Sequence, residues 1–352
     1  MFLFKKKPKS FLGIDIGASA VKLVELEKKD ERYELKNYSI YSLEEHLKKN
    51  GYKVSSKSLK ISNEEVAEII KKSIKEAKIE SKDAYFSIPI CFSFSTLIDF
   101  PNMSEKEIAA AVPFEAKKYI PVPISEVVLD WSIIDSPINN TEYQALLIAV
   151  PKKIINDYKQ IASLSGLNLK VIEEEVFSLT RALIGNDKST IILIDAGARS
   201  ISVSIIDNGY IRVTHNLEIG GARITQAIAE QVGLSLEKAE KLKKGLSDKE
   251  SFNEFTSQLK GSIQPNLGVI IVEVKKIIDS YQSKYNRKVE KCIFVGGGVW
   301  LSDFSDNLKE KLSLDVSIGD PFARVVYPSL LKPVLKKLGP VLVVATGLAM
   351  RD

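Results

Sequence analysis

The sequence predicts an α/β protein of two related halves, each built on a mixed sheet, with a small α+β insert in the first half. Three observations carry that prediction. Leu12 to Val24, LGIDIGASAVKLV, reads as a strand, a tight turn with a carboxylate at its mouth, and a strand back. Ile192 to Ile206, ILIDAGARSISVSII, repeats the pattern, with Ile194, Asp195, Gly197 and Ala198 standing where Ile14, Asp15, Gly17 and Ala18 stand. Between and after these hairpins, β-like runs alternate with helical periodicity.

The hairpins also carry chemistry. Glycine lets a backbone approach an anion closely, and successive turn N–H groups form anion-binding nests. An Asp at the mouth of such a turn is placed to hold a hydrated Mg²⁺ against a phosphate. A single DxG hairpin is equally an ordinary turn of a β-protein. Two copies in one chain suggest two like domains that clamp one polyphosphate and one metal ion.

Taken in order, Phe11 to about Leu43 holds three strands, with Lys28 to Arg32 as a charged turn. Glu44 to Lys60 is polar and shows no periodicity. Ser62 and Glu65 form a capping-box pair ahead of Val66, Ile69, Ile70, Ile74 and Ala77, the apolar face of a helix. Asp83 to Ile88 is a strand. In the insert, FSFSTLIDFP is strand-like, and Ser104 with Glu107 caps a helix interrupted at Pro113. Tyr119 to Pro123 cannot be regular helix and reads as a fixed, extended surface segment. Ser136 to Asn140 is a loop, Tyr143 to Val150 a strand, and Lys152 to about Ser165 a helix stopped by Gly166.

Val171 to Gly185 passes from strand into a helix that begins with Glu173, Glu174 and Glu175, a placement that suits the helix dipole. After the second hairpin, Asn208-Gly209 is a strong turn. Gly220-Gly221 precedes a helix ended by Gly233, and Ser235 caps the next. Gly245 to Gln264 reads as a polar loop. Leu267, Ile270, Ile271, Val274, Ile277, Ile278 and Tyr281 then mark one face of a long helix. A buried strand, Lys291 to Val295, runs into Gly296-Gly297-Gly298. Ala345, Gly347 and Ala349 let the last helix pack closely on a neighbour.

Composition narrows the function classes. At 352 residues, 45% hydrophobic and 27% charged, the chain is ordinary for a globular protein of two domains. Its net charge of +5 (50 Lys and Arg against 45 Asp and Glu) is too mild and too mixed to argue for nucleic acid. Cys91 and Cys292 sit in apolar, strand-like runs and read as buried thiols of a reducing compartment. With only His46 and His215, a His/Cys metal site is not credible. No apolar run reaches the ~18–20 residues that span a bilayer. The start, MFLFKKKPKS, is too short for a secretory signal and reads as a solvated tail. These features place the protein in the cytoplasm.

Five segments in order resemble the actin-like ATPase superfamily: two phosphate hairpins, a connecting helix after each half, and a Gly-rich adenosine loop. Within it the chain is similar to the PilM family of pilus assembly proteins, relatives of the division protein FtsA. The closer match rests on LGIDIGASAVKLVEL, FEAKKYIPVPISEVVLDW, VFSLTRAL, EIGGARITQAIA, EKAEKLK, FVGGGVWL and VVATGLAMR, which extend over nearly the whole chain.

The resemblance implies an actin-like fold, two mixed-sheet domains around a cleft that holds ATP and Mg²⁺. It divides the chain into a first domain (1–88), the insert (89–170), a connecting helix (171–190), a second domain (191–338, with a smaller subdomain over about 222–288) and a C-terminal connecting helix (339–352). Asp15 and Asp195 would hold the metal's waters. Gly17, Ala18, Ser19, Gly197 and Ala198 would offer N–H groups to phosphates. Lys22 either reaches a phosphate or stands as an exposed strand lysine. Gly220 and Gly221 match a phosphate- and ribose-side loop. Glu240 and Lys243 match a pair near ribose and adenine, or form a plain helical ion pair. Gly296, Gly297 and Gly298 match the adenine-side loop, or simply turn the chain into a helix.

Glu175, with Glu173 and Glu174 as rivals, would orient the attacking water. Val176 and Phe177 replace the proline and small residues usual after that position, which points to slow turnover at most. The implied partner is the N-terminal cytoplasmic segment of a PilN-like inner-membrane protein, bound in a groove beside the insert, with other pilus inner-membrane components and only indirect membrane association. Tyr119, Ile120 and Trp131 serve either that groove or the insert's core. The competing readings are a small-molecule kinase of the same superfamily and an FtsA-like filament-forming protein.

Overall fold

Hydrophobic alternation along the first forty residues resolves into three strands, β1 (Lys9–Ile16), β2 (Ala20–Lys29) and β3 (Arg32–Ser42). The computed structural model describes residues 9–49, 61–101, 103–135, 142–245, 254–301 and 304–351. The chain continues through α1 (Leu43–Lys49), α2 (Asn63–Glu76), β4 (Asp83–Ile88), β5 (Phe94–Pro101), α3 (Glu105–Ala116), β6 (Val127–Asp135) and β7 (Glu142–Pro151). Then come α4 (Lys152–Leu164), β8 (Asn168–Glu174), α5 (Glu175–Leu183), β9 (Ile191–Ala196), β10 (Ile201–Asp207) and β11 (Tyr210–Leu217). The remainder holds α6 (Gly221–Val232), α7 (Leu236–Gly245), α8 (Glu254–Tyr285), β12 (Lys291–Val295), α9 (Phe304–Leu312), β13 (Asp315–Ile318), β14 (Val325–Val326) and α10 (Lys332–Ala349).

Two compact units result. The first takes Met1–Pro89, Lys152–Gly185 and Asp320–Asp352. Its sheet runs β14-β3-β2-β1-β4-β8, with β1 antiparallel to β2 and parallel to β4. The Ser62–Glu65 capping box starts α2, which buries Val66, Ile69 and Ile70 and packs against α4. On β1, β2 and α5 lies α10. The approach is backbone to backbone: a Cβ on Gly13 would fall 2.0 Å from the Ala345 carbonyl oxygen, and one on Gly347 2.0 Å from that of Ser178.

The second unit takes Ile90–Pro151 and Asn186–Gly319. A five-stranded sheet, β11-β10-β9-β12-β13, buries one face under α6 and α8. The helical face expected from Leu267 to Tyr281 is buried throughout. Asn208 and Gly209, with φ of 54° and 83°, make the tight turn between β10 and β11 that the sequence predicts. The insert is a three-stranded sheet, β5-β7-β6, closed by α3 over a core of Ile98, Phe100, Ile108, Val112, Ala145 and Leu147. It is latched to β11. Ser95 Oγ lies 2.7 Å from Thr214 Oγ1; buried Arg212 donates to Gln144 Oε1 (2.9 Å), and Gln144 donates to Asp99 (2.5 Å).

Several elements differ from the sequence reading. The insert's compact part ends at Pro151, not at 170, because α4 packs on α2 and β8 in the first unit. The same first unit takes the chain from Asp320 onward, ahead of the expected boundary at 338, because β14 pairs with β3 and α10 starts at Lys332. Through Pro113 runs α3, whose proline is exposed; its ring costs one helix hydrogen bond, to the exposed Ala109 carbonyl, which water can take. Inside the stretch read as a polar loop, α7 extends to Gly245 and α8 already begins at Glu254, since a run of polar residues lacks the apolar spacing on which a periodicity reading depends. Cys91 is exposed, on a 3-10 turn (Ile90–Phe92) rather than in a strand, whereas Cys292 is buried in β12 as expected. Lys9 and Ser10, assigned to the tail, open β1. Part of the expected tail, of the polar stretch from Glu44 to Lys60 and of the Gly245 to Gln264 loop, and the whole of the Ser136 to Asn140 loop, lie outside the described residues.

Candidate functional site

Both DxG hairpins adopt one turn. Gly17 N–H donates to Ala20 O and Gly197 N–H to Ser200 O, each at 3.0 Å. The crossings are tight: a Cβ would come to 3.2 Å and 2.9 Å of those same oxygens. These two N–H groups thus close their own turns. In the first unit Ala18 and Ser19 stand exposed at the tip, while Asp15 is buried. Lys22, seven residues on and opposite Asp15 in the antiparallel ladder, places Nζ 2.9 Å from Asp15 Oδ2. Ser87 Oγ donates to Asp15 Oδ1 at 3.3 Å. The Lys22 side chain is 21% exposed and salt-bridged at the hairpin mouth.

At the end of β8 the glutamate triplet separates: Glu173 and Glu174 close the strand and Glu175 alone opens α5, where the sequence reading put all three at the start of the helix. Glu173 is buried and accepts from Arg181 at 2.8 and 2.9 Å, from Ser178 Oγ at 2.6 Å, and from Arg351. Burial pushes its carboxyl up, but the hydrogen bonds and charge of Arg181, with Ser178 and Arg351, outweigh that and hold it below the ordinary value. Arg181 also donates to Gly347 O at 2.7 Å, so this cluster ties α5 to α10. Glu174 is buried at the cap of α5, and Glu175 is its first residue, half-buried.

In the second unit the Gly-rich segments gather at the Asp195 hairpin. Gly221 N–H donates to Gly197 O (3.1 Å) and Ala222 N–H to Ala198 O (2.8 Å), docking the start of α6 on the hairpin. Gly220 has no room for a side chain, since a Cβ would lie 2.5 Å from the Arg199 carbonyl carbon. Glu240 and Lys243 pair at 2.6 Å. Lys243 Nζ also donates to Gly221 O (3.0 Å) and Thr225 Oγ1 (2.8 Å), and Thr225 donates to Glu240. Burial raises the Glu240 carboxyl, but Lys243, Thr225 and Lys244 together hold it below its ordinary value.

Gly296, at φ 83°, and Gly298 press on Asp195 and Ala196: Cβ atoms there would fall 2.2 Å from Asp195 Oδ1 and 2.4 Å from Ala196 Cβ. A Cβ on Gly297 would meet nothing within 4 Å, so this loop has one open backbone face. The segment after it, Gly297–Trp300, is a 3-10 turn.

Beside the insert lies a cavity of 440 Å³, lined by Cys91, Phe94, Ser95, Tyr119, Ile120 and, from β11, Thr214 to Asn216. Tyr119 is exposed on its rim, Ile120 joins the insert's core, and Trp131 packs partly buried against that core. Burial holds the His215 imidazole below its ordinary value. The sequence reading missed Ser87, Thr225 and Arg181, which reach their site residues only through the fold. Among the described residues, no group of three His, Cys, Asp or Glu is placed to hold a metal ion, and no helix is long and apolar enough to cross a membrane.

The sequence model described as type IV pilus assembly protein PilM matches residues 13–352. The chain belongs to the PilM family. Its structure is similar to that of a PilM-PilN type IV pilus biogenesis complex, with a TM-score of 0.81, 24% identity and 97% of both chains covered. It is also similar to MreB5 of Spiroplasma citri bound to ADP, with a TM-score of 0.53, 12% identity, and 96% and 94% of the two chains covered. Cell division protein FtsA of Bacillus subtilis (strain 168) is 27% identical over 107 residues, which is 30% of this chain and 24% of FtsA. The alignment therefore spans about a quarter of that relative's length. The fold of this PilM-family chain is that of the actin-like ATPases, as the sequence resemblance implies.

Proposed function

We propose that this PilM-family chain is a nucleotide-dependent adaptor of the type IV pilus inner-membrane assembly complex, working at the cytoplasmic face. It takes Mg²⁺ and ATP at its two DxG hairpins and the N-terminal cytoplasmic segment of a PilN-like membrane protein beside the insert. The observation that carries the reading is the duplicated hairpin, with the same Gly N–H turn bond at 3.0 Å in each unit, in a chain of this family.

The residues fit the implied groups. One carboxylate at each hairpin, Asp15 and Asp195, suits a Mg²⁺ ion that keeps most of its waters and shares a phosphate. They do not suit a closed protein cage. Because Gly17, Gly197 and Gly221 direct their N–H groups into the turns, the phosphate donors are Ala18, Ser19 and Ala198, with Lys22 as the cation beside them. The open face at Gly297 suits a flat base, and the Glu240–Lys243 pair holds the loop at Gly221 in place. Glu175 is the water-orienting residue in this reading, since Glu173 is bound by Arg181, Ser178 and Arg351. Phosphoryl transfer rests on such positioning.

Two titrations test the proposal. Mg²⁺–ATP binds the wild-type chain, and Asp195→Ala loses it. A synthetic peptide of a PilN-like N-terminal segment binds at tens of micromolar or tighter, about −6 kcal/mol or better. No peptide binding to folded protein removes the pilus-partner assignment; phosphate release that rises with an added sugar or acid replaces it with a kinase. Release without such a substrate, slowed by Glu175→Gln, supports the water-orienting role.

A further inference from the structure

Positive charge is distributed unevenly along this chain. Residues 1–14 hold Lys5, Lys6, Lys7 and Lys9 and no acid, and residues 321–351 hold Arg324, Lys332, Lys336, Lys337 and Arg351 and no acid. The net charge is +5 and these two stretches alone hold nine cations, which leaves the rest of the chain at −4. Both stretches belong to the first unit, and Tyr33 joins them. Backbone pairing sets Lys9 opposite Lys28, Lys28 opposite Tyr33, and Tyr33 opposite Val325 of β14. Three strand spacings put Lys9 about 14 Å from Val325. The Tyr33 hydroxyl donates to Met350 O at 2.8 Å, just past the end of α10.

Bare hydrocarbon accompanies these cations. Val326 is 47% exposed, Leu330 87% and Val334 43%. A 3-10 turn (Ser329–Leu331) runs straight into α10, and helical spacing puts Leu330, Val334 and Lys337 on one side of that entry. Lys332 and Lys336, one turn apart, are exposed as well, while Leu335 is buried and anchors the turn. The acids on the neighbouring strands are engaged, Glu27 with Lys29 and Lys36, and Glu34 with Lys29. Asp30 and Glu31, exposed at the β2–β3 turn, are flanked in sequence by Lys28, Lys29 and Arg32.

We propose that these two stretches of the first unit bind an anionic lipid surface directly, where the sequence resemblance implied only an indirect membrane association. Cations without acids match a layer of anionic headgroups, each lysine near such a surface adding attraction. Leu330 and Val334 supply what a headgroup layer alone does not use, side chains that enter the acyl boundary while the lysine stems lie along it. Membrane attachment of this kind takes two signals, an apolar one and a polybasic one. The sequence ahead of β1 carries the same two again, Phe2, Leu3 and Phe4 followed by Lys5, Lys6 and Lys7. The contact lies on the membrane, since among the described residues no helix is long and apolar enough to cross it.

The test mixes the full chain, without nucleotide or peptide, with vesicles of phosphatidylcholine alone or of phosphatidylcholine with phosphatidylglycerol. Bound protein is separated by flotation. The expected result is flotation with the phosphatidylglycerol vesicles only, lost as salt is raised. Lys336→Gln combined with Lys337→Gln weakens binding about 25-fold, at about fivefold for each lysine. Leu330→Ser weakens it about tenfold through the hydrocarbon it withdraws. All three side chains are exposed, so the thermal midpoints stay at the wild-type value and a loss of binding is not a loss of fold. Absence of flotation with the anionic vesicles at low salt overturns the proposal. Flotation that Leu330→Ser leaves unchanged, with equally tight binding of soluble polyphosphate, replaces the bilayer with a general polyanion site. Flotation that only Phe4→Ser weakens removes the entry of α10 from the contact and so overturns the proposal as stated. The adaptor reading is untouched by any of these results, since its nucleotide and its partner peptide are absent from the mixture.

Discussion

Lys22 Nζ sits 2.9 Å from Asp15 Oδ2, a salt bridge inside the mouth of the first hairpin between a carboxylate that is 6% exposed and an ammonium that is 21% exposed. The pair pre-positions a cation beside the turn tip. It also means that a buried Asp depends on a partner seven residues away, across the β1–β2 ladder.

Lys22→Gln is therefore expected to lower stability by about 1–3 kcal/mol, the cost of leaving a buried acceptor short of its partner, and to weaken nucleotide binding. Urea unfolding at an unchanged slope, with a titration of Mg²⁺–ATP, reads both. An unaltered midpoint would show that water replaces the ammonium without loss.

Gly347→Ala puts a Cβ 2.0 Å from the Ser178 carbonyl oxygen, against backbone that cannot swing aside. Overpacking of this kind costs about 1–3 kcal/mol, so the thermal midpoint should fall by several degrees. Gly297→Ala, whose Cβ meets nothing within 4 Å, should leave the midpoint close to wild type while lowering nucleotide affinity. The two variants separate packing glycines from site glycines.

Glu173 has its folded carboxyl held below its ordinary value, burial being outweighed by Arg181, Ser178 and Arg351. A depressed folded value means that its stabilisation is fully present above the unfolded value and is lost as pH falls from there through the folded value. Acid unfolding below about pH 4.5 should thus be shallower in Glu173→Gln, whose stability at neutral pH is already reduced. Matching wild-type and variant slopes in a pH series of midpoints would contradict the assignment.

Cys91 is exposed, and burial pushes the Cys292 thiol up to about 12. A thiol reagent at neutral pH should modify one group per native chain quickly and the second only in denaturant, because the thiolate is the reacting species. Two fast equivalents in the native state would mean that β12 opens readily.

Much of this was legible in the chain itself because it is written in local chemistry. The duplicated Asp–Gly turns, the Ser62–Glu65 and Ser104–Glu107 capping boxes and the Leu267 to Tyr281 stripe each depend on neighbours a few residues away, and each appears in the structure. Small residues at Ala345 and Gly347 announced a close helix contact, though not the partners, Gly13 of β1 and Ser178 of α5.

What only the tertiary structure decided are pairings between residues far apart in sequence. Arg181 and Arg351 together bind Glu173 and so engage both of its carboxylate oxygens. Arg212, Gln144 and Asp99 join the insert to β11. Cys91 turned outward because Ile90–Phe92 is a 3-10 turn where apolar neighbours had suggested a strand. Periodicity records which residues share a face, whereas the element that covers that face follows from packing across the chain, and packing has no local signature.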